Sequence, residues 1–292
     1  MSITSAMFTG VSGLLSNAEG INVIGNNLAN VNTIGFKSGR MLFSDMLSSS
    51  IGNNSQIGKG TQIQKVDNVF GQGTFEATEN VADLALQGNS FFALMAPTAT
   101  APVNQNSALL TRAGAFRVDN NLNLVNPDGY QVLDTSGNPI KFFDSGTAPP
   151  TAGDFAKISK IDSTGVITYQ DKLGTSYYYS STGVIGTTTF TAGTNNVIAV
   201  VNPPNPGGLD KLGGTLFSCG ATSGVPAAAF AIASNTANGT SEKLFSNSLE
   251  QSNVDMAAQF VKMILTQRAY SANSKTITTA DEMTQEVLGL KR

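Results

Sequence analysis

Two stretches at opposite ends of the chain carry apolar residues at helical spacing. Met7, Val11, Leu14, Ala18, Ile21, Gly25 and Leu28 step alternately by four and three. So do Val254, Ala257, Val261 and Ile264, and then Ala280, Met283, Val287 and Leu290. Such alternation holds one narrow stripe on a helix, the pattern of a coiled-coil seam. The spacing predicts helices over Met7–Val31 and Val254–Leu290. The second opens on Ser252-Asn253-Val254-Asp255, a hydroxyl followed three residues later by an acid, which satisfies free backbone N–H groups at a helix start. Its seam is interrupted by Arg268, Ser271 and Lys275. A helix of about 30 residues is roughly 45 Å long, and neither stripe can be buried by its own helix. Each therefore predicts a partner: the other helix, neighbouring copies, or both. Gly10, Gly13, Gly20 and Gly25 lie inside the first stretch. Each costs about 1 kcal/mol against alanine in a helix interior. That helix is expected to be weak alone, and its small residues permit close approach of another helix.

Between the ends the period changes to two. Asn26, Asn27, Asn30 and Gly35 mark a helix end and a turn, since Asn and Gly tolerate left-handed backbone angles. Phe36, Met41, Leu42, Phe43, Met46 and Leu47 follow as an apolar segment without strict period, either a short helix or an extended arm. Residues 48–80 read as short strands and turns punctuated by Gly58-Lys59-Gly60 and Gly71-Gln72-Gly73; these clusters lack the spacing and following helix of a phosphate loop. Residues 81–144 read as β: two strands within Ala82–Leu94, an alternating Thr111–Asp119, and turns at Asn120-Asn121 and Pro127-Asp128-Gly129.

Composition removes several functions. The chain has 292 residues and a net charge of −3, so it offers no basic surplus for nucleic acid. Histidine is absent, which removes the commonest general base and metal ligand. Cys219 is the single cysteine and reads as a small packed hydrophobe. Asp83, Asp119, Asp128 and Asp162 sit at separate turns, so no pair of carboxylates is predicted to converge for glycan cleavage. No catalytic residue, cofactor or metal site is expected. No apolar run approaches the roughly 18 residues of a membrane span, and no basic-then-apolar secretion signal is visible, so membrane insertion is not expected.

Asn26-Asn27-Leu28-Ala29-Asn30-Val31-Asn32-Thr33-Ile34-Gly35-Phe36-Lys37 resembles the signature of the bacterial flagellar rod and hook (basal-body axial) proteins. The other end agrees, with Ser252–Asp255, Met263–Tyr270, Asn273–Ile277 and Asp281-Glu282-Met283 similar to that family's C-terminal helix. The middle adds Gly88-x-x-Phe91-Phe92, Thr111-Arg112-x-Gly114-x-Phe116 and Leu124-Val125-x-x-x-Gly129. Ile158–Ile167 resembles the strand–turn–strand that resumes the inner domain of these proteins, and Asn196–Asn202 with Leu216-Phe217 resembles their closing strands; the likeness is weakest at 145–155, 172–195 and 221–242. It implies a structural subunit that stacks into a hollow helical tube. Its partners would be further copies, other flagellar axial proteins, hook cap and hook–filament junction proteins, and the flagellar type III export apparatus. Its location would be the flagellum, outside the cytoplasm, with no cleaved signal peptide. Hook type is expected ahead of rod type, because Gly35–Gly39 and Phe43–Met46 look hook-like and Met46–Val69 lacks the Gln- and Ser-rich segment of the distal rod protein. The short chain, without a large outer domain near 145–155, fits a rod subunit instead. An adhesin or binding module is the alternative of another class, though it leaves the two terminal seams unexplained.

The expected fold is α+β: a terminal coiled-coil domain from 1–33 and 250–292, a linker or extended arm over 34–80, and a mostly antiparallel β domain over 81–249, with a reduced insertion site at 145–155 and a small excursion at 172–195. The residues expected to carry assembly are Met7, Val11, Leu14, Ala18, Ile21, Asn26, Asn27, Leu28, Asn30, Gly35 and Phe36, with Val254, Val261, Ile264, Met283, Val287 and Leu290.

Overall fold

The computed structural model describes residues 3–46, 49–52, 55–146, 149, 151–191 and 195–290. Parts of the regions expected at 1–33, 34–80, 145–155, 172–195 and 250–292, including Leu47 and Pro150, lie outside the described residues. The chain is α+β, with a helix at each end and a mostly antiparallel β domain. It divides into two compact units. One holds Met1–Val31, Ser38–Val69 and Val254–Arg292; the other holds Asn32–Lys37 and Phe70–Asn253.

The second unit is built on an eight-stranded antiparallel sheet. Its order runs Leu209–Gly213, Leu216–Cys219, Leu109–Thr111, Phe91–Met95, Gln131–Val132, Leu124–Val125 and Arg117–Val118, with Val200–Val201 also paired to Phe91–Met95. Every residue of Phe91-Phe92-Ala93-Leu94-Met95 is buried. Side chains of a strand alternate between faces, and here both faces are covered. Phe92 and Leu94 enter a cluster with Phe116, Ile140, Tyr169 and Leu244. Phe91, Ala93 and Met95 enter another with Leu110, Leu133 and Phe217. Val132/Leu133, Val200/Val201 and Leu216/Phe217 divide between the same two clusters. A strand covered on both sides reads as a continuous apolar run rather than an alternation.

The turns fall where Asn, Asp and Gly place them. Asp119 accepts from the N–H groups of Asn121 and Asn123, closing Arg117–Val118 onto Leu124–Val125. Asn126 accepts from the N–H of Tyr130, with Gly129 at φ +86°. A smaller three-stranded sheet joins Phe155–Ile161, Ile167–Asp171 and Ser176–Tyr178. Within the stretch read as a small excursion, Tyr178 and Thr187 exchange backbone hydrogen bonds. The last strands of the unit, Lys243–Ser246 and Ser248–Glu250, pair with Leu84–Gln87 and Phe75–Ala77.

The first unit pairs helix α1 (Ile3–Ala29) with helix α2 (Met256–Gly289). The cap of α2 is Asp255, whose carboxylate accepts from the Ala258 N–H at 3.2 Å. The helix therefore starts later than a Ser252 cap would set it, because Gln251 and Asn253 hydrogen-bond as extended backbone to Thr74 and Phe36. The apolar segment after Phe36 is a strand, Gly39–Asp45, paired antiparallel with Thr61–Asn68. So the stretch read as linker or arm contains a hairpin, and this hairpin packs along α1. The Ser12 hydroxyl accepts from the Thr61 N–H at 3.3 Å, and Gly60, at φ +115°, has no room for a Cβ beside Ser12.

Candidate assembly surface

The two helices meet through small and polar residues. On α1 the buried positions are Gly10, Gly13, Ser16, Gly20, Ile24 and Asn27. A Cβ at Gly10 would stand 2.9 Å from Ile277 Cγ1, and one at Gly13 would stand 2.5 Å from Asn273 Nδ2. One at Gly20 would touch Thr266 Cγ2 at 3.4 Å. The glycines thus set the closeness of the pair, while the order of contacts makes it antiparallel. Asn27 is buried and bonds both ways to Gly39, donating to its carbonyl and accepting from its N–H, each at 2.8 Å. It also donates to Gln259 at 3.5 Å. Asn30 bonds back to the Asn26 carbonyl at 2.8 Å and closes the helix end.

Apart from Ala280, the seams picked out by apolar spacing are not buried in this contact. Met7, Leu14, Ala18, Ile21 and Leu28 are half-buried at its margin, and Val11 is exposed. Val254 is half-buried, ahead of α2. On α2 the inward positions are Gln259, Met263, Thr266, Asn273 and Ile277, one notch round from the expected stripe, together with Ala280 of that stripe. Val261, Ile264, Met283, Val287 and Leu290 all face solvent, with Val261 57% and Leu290 87% exposed. Beside them Phe260 and Leu265 are also bare, and on α1 Phe8 is 74% and Leu15 65% exposed. Phe8, Val11 and Leu15 line an open apolar groove with Met46 and Lys59. Apolar spacing found stripes, but glycine placement chose which face the partner helix occupies. Exposed apolar patches of this extent mark protein contacts or membranes, and no helix among the described residues is long and apolar enough to cross a membrane.

Gly35 and Phe36 belong to the other unit and precede Lys37, which enters a buried charged cluster. Glu250 is its centre. Its Oε1 accepts from Lys37 Nζ at 2.6 Å and from the Gly73 N–H at 2.9 Å, and its Oε2 from Arg112 Nη1 at 3.3 Å. Lys37 donates further to the Gly71 carbonyl, and Arg112 to those of Leu86 and Gly88. The Arg112 guanidinium lies 4.9 Å from the centre of the Phe91 ring. Burial pushes the Lys37 ammonium and the Arg112 guanidinium below their ordinary values, and Glu250 opposes the shift in both. Gly35, at φ +68°, would drive a Cβ to 2.4 Å from the Ala113 nitrogen, and its N–H donates to the Glu250 carbonyl at 2.8 Å. A Cβ on Gly114 would strike the Leu84 carbonyl oxygen at 1.8 Å. The residues that make the signature motifs specific are therefore packing and charge partners of one another. Sequence reading missed Glu250, whose signal was an acid in a short strand with no cation near it in sequence.

The carboxylates at turns serve those turns. Asp119 caps its own loop, Asp162 accepts from the Ser163 N–H, and Asp83 pairs with Asn80. Cys219 packs against the second core cluster, and burial raises its thiol to about 11, far from a reactive thiolate.

Residues 7–37 match the flagella basal body rod protein family, 85–169 the D1 domain of the flagellar hook protein FlgE/F/G, and 246–290 the C-terminal region of the flagellar basal body rod FlgEFG proteins. The flagellar basal-body rod protein FlgG of Bacillus subtilis (strain 168) is 35% identical over 299 residues, covering 98% of this chain and 99% of the relative. The chain belongs to the FlgE/F/G family of flagellar rod and hook proteins. FlgG of Borreliella burgdorferi is 31% identical over 302 residues, 98% of each chain. The hook protein FlgE of the same organism is 37% identical over 153 residues, 46% of this chain but 33% of the relative. As a FlgE/F/G member the chain is a flagellar axial structural subunit and not an enzyme. The expectation of hook ahead of rod finds less support than its alternative, since full-length agreement is with rod proteins. Of the motifs behind that expectation, Gly35–Lys37 adjoins Glu250 and Phe43–Asp45 lies in the hairpin along α1, and the matched D1 family spans hook and rod members alike.

Proposed function

We propose that the chain is a rod subunit which polymerises into the flagellar axis through its helical unit. The observation that carries this reading is colinear agreement with FlgG over nearly all of both chains, against one third of a hook protein. The uncovered apolar faces of α1 and α2 supply the surface for self-association. A repeated contact of one patch with a different patch on the next copy builds a filament when its rotation does not close. Val11, Val261, Ile264, Met283, Val287 and Leu290 stand on those bare faces and contact neighbouring copies. Other axial proteins adjoin the ends of the stack, and the subunit is exported by the flagellar type III apparatus. Electron micrographs of tubes assembled from purified protein test the assignment. Straight, stiff tubes are expected; tubes that curve as they lengthen would return the chain to the hook branch.

A further inference from the structure

Residues 243–253 hold together parts of the β unit that are distant in sequence. Lys243–Ser246 pairs with Leu84–Gln87 and Ser248–Glu250 with Phe75–Ala77. The N–H of Leu244 donates to the Ser163 carbonyl, that of Ser248 to Asp83 and that of Gln251 to Thr74. The Gly35 N–H donates to Glu250, and the Asn253 N–H to Phe36. Leu244 completes the larger core cluster. Above all, Glu250 brings the one carboxylate among the described residues that both Lys37 and Arg112 contact, and the side chains of all three are at most 1% exposed. Without it two enclosed cations would keep only neutral partners among the described residues, the carbonyls of Gly71, Leu86 and Gly88 and the Phe91 ring. Removing one member of a buried charged group is far more damaging than never having built it.

We propose that residues 243–253 are a closing segment without which the β unit stays open, and that the Glu250 carboxylate is what makes the closure obligatory. Glu250 follows Lys37 by more than two hundred residues, so the cationic half of the site waits for nearly the whole unit to be made. A chain that must remain open while it passes through a channel gains from such a last step. That use rests on the export reading above, whereas the folding dependence does not.

The test starts from the full chain. A protease site is placed at the exposed turn Asn238–Ser241 and cut after folding. The nicked protein should stay associated under native conditions. After separation in urea, the N-terminal piece should show no slow-exchanging amides at 75–77, 84–87 or 109–112, and remixing should restore them. Glu250→Gln should weaken recombination by about 100-fold or more. Lys37→Met leaves the Arg112–Glu250 pair balanced and should weaken it by no more than about ten-fold. An N-terminal piece that protects those amides by itself would overturn the proposal. So would Lys37→Met proving as damaging as Glu250→Gln, because packing rather than charge would then carry closure. Neither result touches the rod assignment, and curved tubes would leave this inference standing.

Discussion

The β unit and the helical unit solve opposite problems with the same kinds of residue. In the β unit, Phe91–Met95 is covered on both faces, rings such as Phe92 and Phe116 meet edge to face at 5.2 Å, and even its charged trio is enclosed. In the helical unit Ile24 and Ala280 are the buried apolar side chains among the described residues, while Phe8, Leu15, Val261, Ile264, Leu265 and Leu290 are bare. Burial of apolar area is the main favourable term in folding, about 25 cal/mol per Å². The β unit realises that term within one chain, and the helical unit leaves most of it for association. Glycine works differently in each as well. Gly35 and Gly114 let backbone meet backbone inside the β unit, and Gly10 and Gly13 let two helices approach where no apolar seam holds them.

The largest effect expected is on the β side. Glu250→Ala strands two buried cations and should cost about 3–5 kcal/mol, read from urea unfolding of the monomer. Gly114→Ala comes next: its Cβ would overlap the Leu84 carbonyl, which is backbone and cannot swing aside. Substantial loss of the β-sheet signal at 37 °C is expected. Asp154 gives a conditional effect. Hydrogen bonds from the Ser145 N–H at 2.7 Å and the Thr151 N–H at 2.8 Å, helped by both hydroxyls, lower its carboxyl from 3.8 to about 2. A carboxyl depressed on folding adds stability above its unfolded value, lost as pH falls through the folded one. The urea midpoint should therefore drop between about pH 4 and pH 2, and Asp154→Asn should flatten that part of the profile. On the helical side, Val261→Lys or Leu265→Asp should change monomer stability by no more than about 0.5 kcal/mol yet abolish tube formation seen by sedimentation. Smallest of all is Gly13→Ala. Its Cβ meets the end of the Asn273 side chain, which can turn, and the gain in helix propensity of about 1 kcal/mol offsets the adjustment.

The same contrast decides what could be read in advance. The α+β class, both helices and the hairpins about Asn120-Asn121 and Pro127–Gly129 followed from period and turn residues, which are local; the turn at Asp162–Gly165 came with the family resemblance. The face of each helix did not follow from period and turn residues. Apolar spacing pointed to Val261 and Ile264, but Gly10, Gly13 and Gly20 drew the partner to Met263, Thr266 and Asn273, because close approach needs small residues more than apolar ones. The cluster around Glu250 was also hidden, since its members lie at 37, 112 and 250 and only the folded topology joins them. Hook and rod were hard to separate because the residues quoted for the resemblance are those that build structure common to the family.

Hydrogen exchange on dilute monomer and on assembled tubes asks whether the helical unit is completed only by other copies. Amides of α1 and α2 should exchange rapidly in the monomer and become protected in the tube, while those of Phe91–Met95 stay protected in both. Helices as well protected in the lone subunit as the β-sheet would contradict the account.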